Sequence, residues 1–455
     1  MNKYQPIIGL EIHVELKTKS KMFCGCSASH FQVKPNTHTC PVCLGLPGAL
    51  PVPNRKAIEW CQLIGLALNC QLAKTSKFDR KNYFYPDLAK GYQISQYDQP
   101  LCFKGRVKLS SGTEIGITRV HMEEDTGKSV HKDGKTLVDF NRSGVPLVEI
   151  VTEPDFRSTE DVDEFLKLLQ KIIRYLKVSD ADMEKGSMRL EVNMSLKMCH
   201  PEQSEGSNSS DVSVSPQHDT NKDLPNYKVE VKNINSFRYV QKAIAYEAKR
   251  QADILDQGET PAQETRGYQE DVDKTVSQRS KEEAQDYRYF PEPDIPPMEF
   301  TSEELDELKS KLPELPDEKL ARFVSEYKLP RETAQFLTDI EVLAKYYEET
   351  IKAGKGKDID SLTIANAIKN KKVDWQKLKP EAVIEQIAKE KAETVSDTSE
   401  LEPIIEKVLA ANPQIVAQYK AGKTQVLGFL VGQVMRETQG KADAKIVNKL
   451  LHKKI

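Results

Sequence analysis

Two close pairs of cysteines carry the plainest chemistry in this sequence: Cys24-Gly25-Cys26 and, after 13 intervening residues, Cys40-Pro41-Val42-Cys43. Two such pairs can converge at the base of a loop and offer four thiolates to one tetrahedral zinc. The second pair has the usual knuckle spacing. The first is tighter, and Gly25 eases its turn. With no fifth ligand and no open position in the pattern, the expectation is a structural zinc loop over residues 22–45. His30 and His38 fall inside that loop and read as surface residues. Cys61, Cys70, Cys102 and Cys199 are scattered and read as buried apolar fillers. Thiols are the expected state, because the sequence has neither a secretory leader nor an Arg-rich transit peptide, which points to the cytoplasm.

A second set of residues is acidic. Glu11 and His13 share one face of a strand-like run, about 7 Å apart along it. Arg119, His121 and Glu123 alternate on another run that ends in Glu124-Asp125. Glu149 and Glu153 sit in a third, and Glu191 and Asn193 share a face of a fourth. Carboxylates on mostly buried strands repel one another and lose hydration, so they persist when paired with a cation. Oxygen ligands with one imidazole suit Mg²⁺ or Mn²⁺ better than zinc. A single such carboxylate is more often a solvated strand face; several in one domain favour a hard-metal site.

A third stretch, Lys77 to Pro86 continuing through Lys90 to Gln96, interleaves basic and aromatic residues, a mixture that suits phosphate binding with base stacking as well as an edge strand packing its rings. Asp125-Thr126-Gly127-Lys128-Ser129 mimics the end of a phosphate-binding loop. The leading glycine should stand where Met122 is, so a P-loop is rejected. No dinucleotide fingerprint, zinc-protease helix or nucleophile elbow occurs, and no amidase signature either.

The elements that must position these residues follow from periodicity. Leu10 to Leu16, Glu191 to Leu196 and Tyr227 to Lys232 alternate with a period of two, as half-buried strands do. Helices are expected from Ser158, with Asp161 completing its first turn, and from Ser236 to near Gly258. Pro201 to Leu224, nearly free of large apolar residues, reads as an exposed insertion between strands ending near Met198 and starting near Tyr227. Four prolines between Pro291 and Pro297 mark a linker. Beyond it the chain reads helical: Ser302 onward, Asp317 to Tyr327, and Glu332 to Ala353. The expected class is α+β, with a β-rich mixed or antiparallel cradle domain at 1–293 carrying a few helices. An all-α domain follows at 294–408, then a small helical tail at 409–455.

Hydrophobic residues make up 38% of the 455 and charged residues 30%, enough for real cores. No apolar run of about 18 residues is present, which excludes a membrane-spanning helix. The net charge of -3 argues against a generally basic nucleic-acid binder, yet it hides segregation. Asn412–Ile455 holds seven lysines and Arg436 against Glu437 and Asp443, a net +6, which leaves -9 for the remainder.

Several ordered blocks resemble the B subunits of the aspartyl/glutamyl-tRNA amidotransferases: Gly9 to Leu16, Phe78 to Gln96, Val138 to Pro154, Gly186 to Arg189, Val231 to Val240 and Asp286 to Pro293. The resemblance implies one member of a heterotrimer whose A subunit, an amidase, releases ammonia from glutamine and whose small C subunit wraps the interface of the other two. The B subunit would use ATP and Mg²⁺ to phosphorylate the side-chain carboxylate of Glu or Asp misacylated on tRNA-Gln or tRNA-Asn, and ammonia would displace the phosphate. The family's catalytic and metal residues map onto Glu11, His13, Glu124 and Glu149, with Glu191 as a further Mg²⁺ ligand. ATP or substrate contacts are expected at Lys81, Tyr83, Lys90, Arg142, Asn193 and Arg288, and tRNA contacts at Lys441, Lys445, Lys449 and Lys453. Alternation places Glu123, not Glu124, on the face of His121, so the family assignment requires a bulge there. Where the family often has Arg-Cys-Asp, this chain has Arg189-Leu190-Glu191. The competing reading is a non-catalytic zinc-containing tRNA adaptor; buried carboxylates that would repel phosphates count against it.

Overall fold

The computed structural model describes residues 3–199, 224–280, 287–392, 398–438 and 441–455. The insertion expected at 201–224 lies almost wholly outside them. Contacts divide the chain into two compact units, Met1–Pro316 and Asp317–Ile455.

The first unit is built on strands β1 (Tyr4–Glu15), β2 (Gln71–Leu72), β3 (Thr75–Ser76), β4 (Asp79–Asn82), β5 (Tyr92–Ser95), β6 (Cys102–Lys108), β7 (Glu114–Glu124), β8 (Lys128–Lys132), β9 (Lys135–Asp139), β10 (Pro146–Thr152), β11 (Met188–Met198), β12 (Val229–Ile234), β13 (Glu264–Gln269), β14 (Lys274–Ser280), β15 (Phe290–Pro291) and β16 (Met298–Glu299). Nine of these form one sheet in the order β14-β13-β12-β11-β1-β10-β7-β6-β2. Every pairing in it is antiparallel except β12 with β13. The central strand β1 shows why the sheet has two different faces. Ile8, Leu10, Ile12 and Val14 all point to one side and are buried there, while Glu11 and His13 point to the other.

Three helices cover the apolar face: α1 (Arg55–Ala67), α2 (Thr159–Tyr175) and α3 (Phe237–Asp256). Their starts follow from short polar side chains. Asn54 caps α1 through Lys56 N and Ala57 N, Ser158 accepts from Asp161 N, and Ser236 accepts from Tyr239 N. Ile64 of α1, Phe165 and Ile173 of α2 and Ala243 of α3 join one core with Ile12, Val120, Val148 and Val192. Cys61, Cys70 and Cys102 are buried in it, whereas Cys199 is exposed, because β11 ends at Met198 and the chain leaves the sheet there. The polar face is partly crossed by the small sheet β15-β4-β5.

The proline-rich segment after Phe290 is packed against this unit. Phe290 and Pro291 pair with β4, Arg80 holds buried Glu292 through two hydrogen bonds of 2.7 and 2.8 Å, and Ile295 enters the core. Prolines here confine an edge strand and a turn, which the sequence alone cannot distinguish from a linker. Helix α4 (Ser302–Ser310), opened by a Thr301/Glu304 capping box, also belongs to this unit, so the division falls at Pro316.

The second unit is helical: α5 (Pro316–Glu326), α6 (Arg331–Thr338), α7 (Glu341–Ala353), α8 (Ser361–Lys369), α9 (Pro380–Ala392), α10 (Thr398–Ala411), α11 (Pro413–Lys420), α12 (Leu427–Glu437) and α13 (Ala444–Lys454). The helix expected over Glu332–Ala353 is two helices, because Ile340 takes an extended backbone (φ -125°, ψ 125°). Two apolar clusters form inside this unit, one around Phe323, Tyr347 and Ile384, the other around Leu401, Leu430 and Leu451. Among the described residues no helix is long and apolar enough to cross a membrane.

Candidate functional site

Register builds the acidic site. His13 on β1 stands opposite Glu149 on β10, and Glu149 opposite His121 on β7. On the other side of β1, Glu11 stands opposite Glu191 and His13 opposite Arg189 on β11. Four adjacent strands thus deliver residues distant in sequence to one patch of the polar face. His13 Nε2 lies 3.4 Å from Glu149, 3.8 Å from Glu123 and 3.8 Å from Glu11. His121 Nε2 lies 3.7 Å from Glu123 and 3.6 Å from Glu149. Two overlapping groups, Glu11/His13/Glu191 and His13/Glu123/Glu149, each bring three possible ligand atoms within 4.8 Å of one another.

The patch floors a cavity of about 540 Å³. Its opposite wall comes from the small sheet and nearby loops, with Lys81, Tyr83, Gln93, Tyr287 and Tyr289. Lys81 Nζ is 3.6 Å from Glu123. Gln93 Nε2 and Ser95 Oγ donate to Glu123 at 3.0 and 2.6 Å, and the Tyr83 hydroxyl donates to Gln93 at 2.9 Å. The Tyr97 and Tyr289 rings stack 4.3 Å apart at the rim.

Burial, and then the charges of neighbouring groups, set the protonation of this patch. Burial, then the carboxylates of Glu149 and Glu191, push Glu11 up to about 7. Burial acts to lower His13, but the hydrogen bond and charge of Glu149, with Glu11 and Glu123, lift it to about 9. Glu149 is driven the other way: burial would raise it, and the neighbouring imidazoles bring it down to about 2. Burial likewise opposes ionisation of Glu123, and the Lys81 ammonium with the two imidazoles overcomes it. Burial also raises Glu191 above the ordinary carboxylate range, opposed by the Lys232 ammonium. His121 Nδ1 is buried with no hydrogen-bond partner. Carboxylate oxygens with imidazole nitrogen form a donor set suited to a hard divalent cation.

Glu124 does not join this patch. β7 alternates without a bulge at its end: Glu123 pairs with Leu147 and Glu124 with Pro146, and the irregularity between β10 and β7 falls at Val151/Thr152. Consequently Glu124 turns to the other side, where it accepts from the Lys90 ammonium and from Ile94 N at 2.8 Å. Lys90, engaged by Glu124, does not line the cavity. Lys81 and Tyr83 do. Arg142 donates to the carbonyls of Thr126 and Gly127 at 3.0 and 2.8 Å and lines a neighbouring cavity. Asn193 follows Glu191 on the same face, its buried Oδ1 without a partner, and lines neither cavity. Arg288 is exposed with a left-handed backbone (φ 40°), and its carbonyl accepts from Asn82 Nδ2 at 2.7 Å. Its neighbours Tyr287 and Tyr289 line the cavity instead. Asp125, Arg189 and Lys232 also belong to the site, with Arg189–Asp125 at 2.6 Å and Lys232–Glu191 at 2.9 Å. Alternation along β12 could have found Lys232; nothing local to the sequence pairs it with Glu191.

The four cysteines do converge. Cys24, Cys26, Cys40 and Cys43 place their sulfurs within 4.8 Å of one another, a group that could hold a metal ion. His30 and His38 turn elsewhere, to Glu15 at 2.9 Å and to the Ser29 carbonyl at 2.6 Å. Lys21, wholly buried, directs its ammonium to Cys43 Sγ at 3.6 Å and to the His38 and Phe140 carbonyls. A hydrogen bond from the Cys24 thiol, opposed by burial and helped by the Cys40 backbone and Lys21, brings the Cys43 thiol down to about 5. Ser143 Oγ donates to the Cys43 carbonyl at 3.1 Å and Gly144 N to the Asp125 carbonyl at 2.8 Å, so the loop is braced against the cavity wall.

The family model described as "GatB/GatE catalytic domain" matches residues 6–306, and one described as "GatB domain" matches residues 331–455. The chain belongs to the family of aspartyl/glutamyl-tRNA(Asn/Gln) amidotransferase B subunits. Relatives bearing that name include the proteins of Syntrophotalea carbinolica, 44% identical with 100% of this chain and 99% of the relative covered, and of Thermodesulfovibrio yellowstonii, 43% identical with 99% of each covered. The Thermotoga maritima protein is 42% identical over 99% of each. The match to this amidotransferase family spans both units, including the helical tail. There Lys445, Lys449 and Lys453 recur every fourth residue on the exposed side of α13, opposite buried Val447, Leu450 and Leu451, while Lys441 precedes the helix.

Proposed function

We propose that this chain is the subunit of a glutamine-dependent amidotransferase that activates Glu or Asp misacylated on tRNA-Gln or tRNA-Asn. The observation that carries the reading is the patch of Glu11, His13, Glu123, Glu149 and Glu191 on the floor of a cavity whose facing wall carries Lys81. A carboxylate resists ammonia because it is anionic and has no leaving group. Phosphorylation by ATP supplies one, and ammonia then displaces phosphate to leave the amide. This chemistry needs in-line positioning and charge neutralisation rather than a protein nucleophile, which agrees with a site of carboxylates, imidazoles and a lysine.

The five patch residues would hold Mg²⁺, with Glu123 in the place first expected for Glu124. Bound there, the ion would neutralise charge on the phosphoryl oxygens during transfer. Lys81, held beside Glu123, reaches the same space and would neutralise a further oxygen. Tyr83, Tyr287 and Tyr289 give the cavity an aromatic wall that excludes water from one side. Asp125 orients Arg189 for the carboxylate being activated. Glu124 holds Lys90 outside this cavity.

The cysteine cluster would bind one structural zinc that braces the loop over 22–45. Ammonia would come from the amidase, or A, subunit, with a small C subunit completing the heterotrimer, in the cytoplasm where translation occurs. Lys441, Lys445, Lys449 and Lys453 of the tail at 409–455 would contact tRNA phosphates. The test uses the assembled heterotrimer with misacylated tRNA, glutamine and ATP. The expected result is Mg²⁺-dependent release of ADP with formation of Gln-tRNA or Asn-tRNA, both lost in Glu149→Gln. Retention of both activities in that variant would refute the assignment.

A further inference from the structure

Among the described residues two lysines are buried, Lys21 and Lys319. Lys319 has a carboxylate, Glu348, at 3.8 Å. Lys21 is the more deeply buried of the two, at 0% exposure, and no carboxylate pairs with it. Its ammonium donates to the His38 carbonyl at 2.7 Å, the Phe140 carbonyl at 3.3 Å and Cys43 Sγ at 3.6 Å. The two carbonyls satisfy N–H groups but carry no net charge. Of the three partners, the sulfur alone can carry a full negative charge.

The carboxylates around the same turn are committed elsewhere. Glu124 accepts from Lys90 and Asp125 from Arg189, while Asp139 accepts from the amides of Asn36 and Asn141 at 2.9 and 3.0 Å. The fold also fixes where Lys21 stands. Asn54 Nδ2 donates to its carbonyl at 3.2 Å, Met22 N donates to the Gly144 carbonyl at 2.7 Å, and His38 N donates to Asn141 Oδ1 at 2.7 Å. An ammonium taken out of water is costly unless an opposite charge meets it. The cysteine cluster has the converse need. Zinc is held by deprotonated sulfurs, so four thiolates around one Zn²⁺ leave two negative charges in excess. Cys43 is itself buried, and its sulfur accepts from Cys40 N at 3.2 Å as well as from Lys21.

Resting on the zinc reading proposed above, we infer that Lys21 is the buried counter-ion of the loaded cysteine cluster, neutralising one of its two excess charges at Cys43 and so setting its zinc affinity. Lys21 is a positioning residue and not a ligand, since an ammonium has no lone pair to give. Each partner supplies what burial denies the other: the thiolates a negative charge for Lys21, and Lys21 a positive charge for sulfurs that water reaches poorly. Through the Phe140 carbonyl the same side chain also ties the cluster to the turn that precedes β10.

The experiment measures the Zn²⁺ affinity of the assembled heterotrimer by competition with a chromophoric chelator, for wild type, Lys21→Met and Lys21→Gln. Methionine keeps an unbranched stem without the charge. Glutamine keeps N–H donors for the two carbonyls, again without the charge. Both variants should bind zinc about 10- to 100-fold more weakly, the range for losing a partner that orients or supports a metal ligand. Hydrogen exchange over residues 139–146 of the zinc-free complex should be the same in all three proteins, because there the ammonium has lost the anion that justifies its burial. Wild-type zinc affinity in Lys21→Gln would show that the site needs donors and not charge, and would overturn the inference. Faster exchange over 139–146 in the zinc-free variants would also overturn it, by making Lys21 a brace for that turn. If the wild-type complex itself takes up no zinc, it is the zinc reading that fails, and the inference falls with it.

Discussion

The two candidate metal centres are built in opposite ways. Cys24, Cys26, Cys40 and Cys43 come from 20 consecutive residues, whereas Glu11, His13, Glu123, Glu149 and Glu191 span 181 residues and four strands. A loop that short needs little beyond its own turns to bring sulfurs together. The carboxylate patch exists only because β11, β1, β10 and β7 lie side by side in one register. The difference also separates their failure modes. The expectation is that a metal removed from the loop would leave the sheet intact, and that a carboxylate removed from the patch would leave the loop's metal binding unchanged.

That independence can be broken experimentally. Replacing Cys40 and Cys43 together by Ser should remove about one equivalent of zinc per chain, an all-or-none loss, since structural zinc binding is worth on the order of 10 kcal/mol in zinc-finger peptides. Hydrogen exchange should then accelerate over residues 21–46 while the backbone of β1 and β10 stays protected. Faster exchange in β10 as well would show that the two centres are not independent. Glu149→Gln should lower kcat for transamidation about 100- to 1,000-fold, the range for losing one preorganised electrostatic partner, with zinc content unchanged by metal analysis.

A finer comparison lies within one strand. Glu123→Gln should weaken Mg²⁺ activation about tenfold or more, the scale of losing an interaction worth about 1.4 kcal/mol. Glu124→Gln should leave that titration in place and instead lower the thermal midpoint, because Lys90 would lose its buried partner at about 1–3 kcal/mol. Equal effects on Mg²⁺ would contradict the register of β7. The smallest effect is expected far from either centre. Changing Lys445, Lys449 and Lys453 to Ala should reduce tRNA affinity several-fold at low salt and lower the salt slope by about 2, by loss of counterion release. An unchanged slope would assign those lysines to solubility alone.

How far the site is legible in the sequence depends on the kind of interaction involved. Glu11 with His13, and His121 with Glu123, can be placed on shared faces from alternation alone, because a strand repeats every two residues. The same rule puts Glu123 rather than Glu124 beside His121, which is where the structure places it. Arg288 stands out in its motif, but its neighbours Tyr287 and Tyr289 line the cavity, because the backbone turns at a positive φ there. Lys232, Asp125 and Arg189 acquire their partners across strands, and no local pattern records such a pairing. The prolines from Pro291 to Pro297 read as a linker since proline forbids helix and central strand alike; Arg80, 212 residues from Glu292, fixes the segment to the first unit.

By itself, the sequence determined what depends on neighbours along the chain: the cysteine loop, the two-faced strands, the capped helices α2 and α3, and the positive tail at Asn412–Ile455. Tertiary structure decided which carboxylates share a cavity, that Glu124 serves Lys90, and that the buried Lys21 ammonium meets Cys43. The physical reason is register. Period fixes a side chain's face within its own strand, but its companions are chosen by hydrogen-bonded pairing with strands that can lie far away along the chain.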